Sequence, residues 1–127
     1  MKYIVTSEKS IDQAATDLEA AVKANQFGVL NVQDLQATLQ SKGIDFQQPC
    51  RVFDVCNPHQ AKAVLTEDIS MNMALPCRIS IWQENGQTKI GAISPKSMLA
   101  MLSDSEKLAS IAEEVDGVMQ RIINAAK

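Results

Sequence analysis

Aromatic residues and histidine are scarce in this sequence. Aromatic side chains make up 4% of the 127 residues, and there is one histidine. An aliphatic core of Leu, Ile, Val, Ala and Met is therefore expected. No apolar run approaches the ~20 residues that a membrane helix needs, and the N-terminal MKYIVTSEKS contains too short an apolar stretch for a signal peptide. These absences predict a cytoplasmic protein that makes no membrane contact.

Basic residues are neither abundant nor clustered. Twelve Lys and Arg against 15 Asp and Glu give a net charge of −3. Nucleic-acid-binding domains usually carry a basic stripe with interleaved aromatic residues, and no such stripe is present, so no nucleic-acid partner is expected. The three cysteines, an odd number, would stay reduced in the cytoplasm, and a disulfide framework is not expected.

The common catalytic signatures are also missing. The chain contains no G-x-S-x-G, no P-loop, no G-x-G-x-x-G and no H-E-x-x-H. Adjacent acidic pairs such as Glu113-Glu114 point apart on a helix and are interpreted as solvated surface. We therefore expect a non-enzymatic protein with no catalytic residue and no cofactor.

The order of predicted elements indicates an α+β fold in one domain spanning residues 1–127. A mainly antiparallel sheet with helices packed on one face fits a chain that ends in a hairpin and a long C-terminal helix. A parallel sheet, formed by βαβ units in the first half, is the alternative. Asn85-Gly86 favours a type I′ hairpin turn. Strands are predicted at 2–6, 27–32, 50–55, 77–83 and 88–93.

Helix starts are marked by capping residues. Ser10 with Gln13 forms a capping box, and Ser103 with Glu106 predicts a second one that opens the long terminal helix. Gly117 inside that helix costs about 1 kcal/mol relative to alanine, so a close packing contact is expected there. Residues 66–76 show no periodic pattern and are predicted to form an irregular loop. The other helices are expected from about Asp34, Pro58 and Ser94.

Three segments give the sequence a resemblance to a known family. They are FGVLNVQDLQATLQSKGIDF, VCNPHQAKAVL and MALPCRISIWQENGQTKIGAISPKSML, and in this order they resemble the family called domain of unknown function 302. The resemblance implies an antiparallel α+β domain similar to the TATA-binding-protein-like architecture, often paired as a homodimer. It implies no reaction, substrate or catalytic residue. Cys56 and Cys77 fall within family motifs, Cys56-Asn57-Pro58 and Leu75-Pro76-Cys77, whereas Cys50 and His59 lie outside them.

The candidate site is centred on Cys56 and Cys77. Asn57 is expected to cap the helix that Pro58 opens, which places the Cys56 sulfur near a helix N-terminus, where thiolates are favoured. Cys77 begins a strand directly after Pro76. We expect a small ligand or partner to bind at this end of the sheet.

Two other functions and a purely structural role remain open for these residues. Cys56 and Cys77 could act in thiol redox exchange or sulfur transfer. With His59, Met71 and Met73, they could bind a soft metal, copper or zinc, although the sequence has no second C-x-x-C or H-x-H to complete a tetrahedral site. Cysteine is also among the most buried residue types, so both could simply pack in the core.

Overall fold

A computed structural model describes residues 1–127, which form five β-strands, five α-helices and one short 3₁₀ helix. The order of elements is the one that the sequence predicts, apart from the 3₁₀ helix. The elements are β1 (Lys2–Ser7), α1 (Ile11–Ala24), β2 (Gly28–Asp34), α2 (Leu35–Ser41), β3 (Cys50–Cys56), α3 (Pro58–Glu67), the 3₁₀ helix (Ile69–Ala74), β4 (Cys77–Glu84), β5 (Gln87–Ile93), α4 (Pro95–Leu102) and α5 (Glu106–Ala126).

The sheet is antiparallel throughout, which confirms the predicted fold class. Its strand order is β1-β5-β4-β3-β2, and all four neighbouring pairs run antiparallel. The parallel alternative does not occur, because β1 pairs with the last strand rather than with β2. Asn85 and Gly86 have φ values of 52° and 75°, as the predicted type I′ turn between β4 and β5 requires.

Helices α1 and α5 pack against each other and cover one face of the sheet. Alternate residues of β3, β4 and β5 point into this layer, since side chains alternate between the two faces of a strand. The long C-terminal helix contributes the apolar stripe expected from its sequence. The fully buried side chains of this core include Leu18, Phe53, Val55, Ile79, Ile81, Ile90, Ile122 and Ile123. No helix is long and apolar enough to cross a membrane.

A smaller apolar cluster lies beside the main core. It joins Val64 of α3, Met71 of the 3₁₀ helix and Leu99 of α4 to the first half of α5. The 3₁₀ helix occupies most of 66–76, the segment expected to be irregular. Asp68 caps it by accepting a hydrogen bond from the Ser70 N–H at 3.0 Å. This short helix connects α3 to β4.

Two local expectations about α5 are wrong. The residue that caps the helix is Ser105, whose hydroxyl accepts from the Leu108 N–H at 3.2 Å. Ser103 instead ends α4, with its own N–H bonded to the Leu99 carbonyl. Gly117 makes no close packing contact, since a Cβ there would meet only the Arg121 guanidinium, at 3.8 Å.

Candidate functional site

Cys56 lies at the junction of β3 and α3. The strand ends at Cys56, and the helix begins at Pro58. The Asn57 side-chain oxygen accepts hydrogen bonds from the N–H groups of His59 at 3.0 Å and Gln60 at 3.2 Å. Asn57 and Pro58 thus form the cap and first turn that the sequence predicts. Their side chains have a structural role at this junction.

The sheet register brings Cys77 next to Cys56. Cys77 begins β4 after the cis peptide bond between Leu75 and Pro76. Its partner across the β3–β4 ladder is Val55, the residue that precedes Cys56. The two cysteines, twenty-one positions apart in the sequence, therefore lie at the same end of the sheet, and all three cysteines are free thiols.

Cys56 and Cys77 line a common pocket, which we call the cysteine pocket. Its cavity volume is about 30 Å³, enough for roughly two water-sized groups. No charged side chain lines it. The lining residues are Phe27, Val55, Cys56, Asn57, Gln60, Ala61, Val64, Leu75, Pro76, Cys77 and Val115.

Gln60 gives this pocket its one unusual polar group. The side-chain oxygen Oε1 of Gln60 is buried, and no donor in the protein hydrogen-bonds to it. Nearly all buried polar atoms in proteins have a partner, and leaving one without costs about 1–3 kcal/mol. Gln60 is one of the lining residues, so this unpaired oxygen belongs to the wall of a mostly apolar recess.

The Cys77 thiol is protonated under ordinary conditions. Burial, and to a lesser degree the nearby Cys56, raises the pKa of Cys77 to about 11. A buried thiolate is disfavoured because it loses its hydration. Cys77 therefore acts as a neutral, weakly polar lining group, and it lacks the thiolate character that nucleophilic exchange requires.

Alkylation rates test this property of Cys77. In a Cys50→Ser/Cys56→Ser variant, we expect Cys77 to react with iodoacetamide at least ~100-fold more slowly than free cysteine at mildly alkaline pH, because the thiolate is the reacting form. The rate should rise steadily with pH up to about the Cys77 pKa of 11. A rate that levels off below about pH 9 would contradict the raised pKa. A Cys50→Ser/Cys77→Ser variant reports on Cys56 in the same assay.

The side chains considered as soft-metal ligands do not lie close together. His59 is exposed on the first turn of α3, Met71 is 5% exposed within the smaller core cluster, and Met73 is 82% exposed. No group of three or more His, Cys, Asp or Glu side chains is placed to hold a metal ion. Cys50, at the far end of β3, lies outside the pocket.

Sequence reasoning missed Gln60 as a site residue. Its position carried a signal, however, because Gln60 directly precedes Ala61 and lies four residues before Val64, which form part of an apolar stripe on α3. A polar residue beside such a stripe lies within reach of the core. That its oxygen would lack a partner depends on the surrounding chain and could not be predicted.

These features define a small α+β domain with an antiparallel sheet and a narrow, uncharged pocket at one sheet end. The family model described as "Domain of unknown function DUF302" matches residues 3–126. The chain belongs to this family, as its sequence motifs suggested.

A solved structure is similar over almost the whole chain. It is described as an uncharacterized conserved DUF302 protein from Bacillus stearothermophilus. The two share 32% sequence identity and a TM-score of 0.95, and the match covers 99% of this chain and 98% of the other. Comparison with curated proteins gives no match.

Proposed function

We propose that this protein binds a small, uncharged molecule in the cysteine pocket and that the ligand donates a hydrogen bond to Gln60. The observation that carries this proposal is the buried Gln60 Oε1 without a donor. A ligand N–H or O–H would satisfy it and recover the cost of about 1–3 kcal/mol. Buried polar atoms that converge on an apolar recess are typical of small-molecule sites.

The lining favours a neutral ligand over an ion. None of the pocket residues carries a charged side chain, and an ion moved into an uncharged, apolar recess would lose hydration that nothing there replaces. The raised pKa of Cys77 keeps that thiol neutral as well. The narrow interior further limits the group that enters to a few heavy atoms.

Propan-2-ol and acetone provide matched probes of this site. They have similar size, with only a few heavy atoms each, but only propan-2-ol has a hydrogen-bond donor. In ¹H–¹⁵N spectra, we expect propan-2-ol to shift the amides of Cys56, Ala61 and Cys77 saturably. Acetone should bind about tenfold more weakly, since one hydrogen bond to a buried acceptor is worth about 1.4 kcal/mol or more.

A Gln60→Met variant is the matched control. Methionine has a similar length but no carbonyl acceptor, so propan-2-ol should lose its advantage over acetone. The free energy of unfolding should rise by about 1 kcal/mol, because an unpartnered buried oxygen is removed. Equal binding of the two probes to the unmodified protein, or an unchanged preference in the variant, would refute the proposal.

The thiol and metal alternatives have less support from the structure. Thiol exchange through both cysteines needs accessible thiolates, and the pKa of Cys77 is raised to about 11. Soft-metal binding needs further ligands, and Met71 and Met73 are turned to different environments. A Cys56 alkylation rate well above that of free cysteine would restore the thiol hypothesis.

We also propose that residues 1–127 act as one unit in a cytoplasmic homodimer. The strands expose the apolar side chains of Ile4, Leu30 and Val32, at 47%, 63% and 42% of their surface. A second copy could cover such side chains. The three free cysteines suit a reducing compartment. Sedimentation equilibrium should give twice the chain mass, and a monomer at high concentration would refute the dimer.

A further inference from the structure

The hydrogen-bonded pairing of strands β4 and β5 ends before one end of the sheet. Their pairing runs from Glu84 opposite Gln87 to Ser80 opposite Gly91 and stops there. Beyond that point, the start of β4 pairs only with β3, and the end of β5 pairs only with β1. A gap therefore opens within the sheet, on the side of the Leu75–Cys77 segment away from the cysteine pocket.

This gap forms a groove, which we call the Arg78 groove. Its volume is about 540 Å³, within the range of small-molecule sites and much roomier than the cysteine pocket. The strand ends form its floor, and the 3₁₀ helix and α4 contribute its rim. The side chains that matter here are Met73, Arg78, Ser80, Ile93, Pro95 and Met98.

The apolar part of the groove is adaptable. Met73 is 82% exposed and Ile93 is 54% exposed, and Met98 adds a second thioether from α4. Methionine side chains are flexible and polarizable, so they adjust to ligands of different shape. Exposed methionine and isoleucine side chains around a concave surface would gain from being covered by an apolar chain.

The charged part of the groove is a single cation. Arg78 is the only charged side chain in the lining, and no acidic side chain lines it. Arg78 is 61% exposed, and its one ionic contact, from Nε to the Asp54 carboxylate, is long at 4.0 Å. The two terminal nitrogens of the guanidinium thus remain available, and their planar geometry matches a carboxylate.

We propose that the Arg78 groove binds an amphipathic carboxylate, with its head group on Arg78 and its apolar chain between Met73, Ile93 and Met98. Ser80 lies two residues from Arg78 on the same face of β4, where its hydroxyl is placed to donate to the same head group. The groove shares Leu75, Pro76 and Cys77 with the cysteine pocket, but Arg78 and the exposed apolar side chains belong to the groove alone. The two proposals therefore rest on different side chains, Gln60 in one and Arg78 in the other.

Octanoate, octan-1-ol and octylammonium separate the contributions of charge and chain. They share a chain length and differ in head group. Calorimetry should show octanoate binding at least about tenfold more tightly than octanol, with octylammonium weakest. The reason is that only the carboxylate can accept a charge-assisted hydrogen bond from Arg78. In ¹H–¹⁵N spectra, octanoate should shift the amides of Arg78, Ile93 and Met98.

Arg78→Gln should weaken octanoate binding about tenfold to a hundredfold and leave octanol binding unchanged. Lys89→Gln is the matched control: Lys89 points to the same face of the sheet, outside the groove, and its loss should have no such effect. Met98→Glu, which introduces an acid into the groove, should abolish octanoate binding. It therefore tests the position of the bound carboxylate without changing Arg78.

Three results would overturn the proposal. One is equal affinity for octanoate and octanol; another is an equal loss from Arg78→Gln and Lys89→Gln. The third is an octanoate response confined to the amides of Ala61 and Val64, which would place the molecule in the cysteine pocket. Gln60→Met should not affect octanoate binding, so failure of either proposed site can be told from failure of the other.

Discussion

Replacing Gly91 with alanine is expected to lower the free energy of unfolding by about 2 kcal/mol, the usual scale for an added atom in a tightly packed position. A Cβ at this position would lie 2.9 Å from the Tyr3 carbonyl oxygen, 3.0 Å from Ile4 Cγ1 and 3.2 Å from the Trp82 ring. The Trp82 side chain can turn away. The Tyr3 carbonyl cannot move easily, because it belongs to β1, which pairs with β5 along its whole length.

Gly117→Ala is the matched control for Gly91→Ala, and the expected effect has the opposite sign. A Cβ at Gly117 meets nothing closer than the Arg121 guanidinium, at 3.8 Å. Alanine also costs less than glycine in a helix, so the variant should be more stable by up to about 1 kcal/mol. Urea unfolding measures the free energy of unfolding of both variants.

A Gly91→Ala/Trp82→Ala variant assigns the Gly91→Ala effect to its source. If the Tyr3 backbone is the obstacle, Gly91→Ala should lower the free energy of unfolding by the same amount in the Trp82→Ala protein as in the unmodified protein. Full recovery would mean that the ring is the obstacle, and a stable Gly91→Ala protein would contradict the close approach of β1.

The pairing of Cys56 with Cys77 illustrates how far the sequence could predict the site. Strand ends, helix caps and the Asn85-Gly86 turn are local features, and together they place both cysteines at element boundaries. An antiparallel sheet then makes their approach plausible. The register that puts Val55 opposite Cys77 is what brings them together, and register depends on the packing of the whole sheet.

The Arg78 groove could not be predicted in the same way. It exists because β4 and β5 stop pairing at Ser80 and Gly91, although both strands continue in sequence. Nothing in the alternation of residues 77–79 or 92–93 marks that separation. The missed cap of α5 has a simpler cause, since Ser103 and Ser105 are both good caps and only the backbone turn after α4 selects between them.

Asp116 illustrates a signal that was present in the sequence. It occupies a position between Val115 and Met119 on the buried stripe of α5, where a charged residue is unusual unless it is paired. The structure supplies the partners. Its carboxylate accepts hydrogen bonds from the Ser94 hydroxyl, the Lys96 backbone N–H at 3.1 Å and the Gln120 amide at 2.9 Å. Asp116 thus fastens the start of α4 to the middle of α5.

Asp116→Ala is therefore expected to destabilise the protein by about 2–3 kcal/mol, because hydrogen bonds to a charged group contribute about 1.5–3 kcal/mol and three part-buried donors would lose their acceptor. The effect should exceed that of removing a surface charge on the same helix. Glu113→Gln is the control: Glu113 is 70% exposed and contacts the Lys96 ammonium at 3.7 Å, and such pairs contribute at most about 1 kcal/mol. Urea unfolding near neutral pH measures both.

The pH dependence of stability provides an independent test of Asp116. Burial alone raises the pKa of Asp116, but the hydrogen bonds from Ser94, Lys96 and Gln120 outweigh it and hold the pKa below its ordinary value of 3.8. The folded state thus favours the carboxylate, and its contribution is complete above the unfolded pKa and lost as pH falls through the folded one.

The stability difference between the unmodified protein and Asp116→Asn should accordingly be largest near neutral pH and shrink as the solution is acidified below about pH 4. Asparagine keeps the size of the side chain but accepts from fewer donors and carries no charge. A difference that stays constant down to about pH 2 would show that the carboxylate has no lowered pKa and that Asp116 contributes by packing alone.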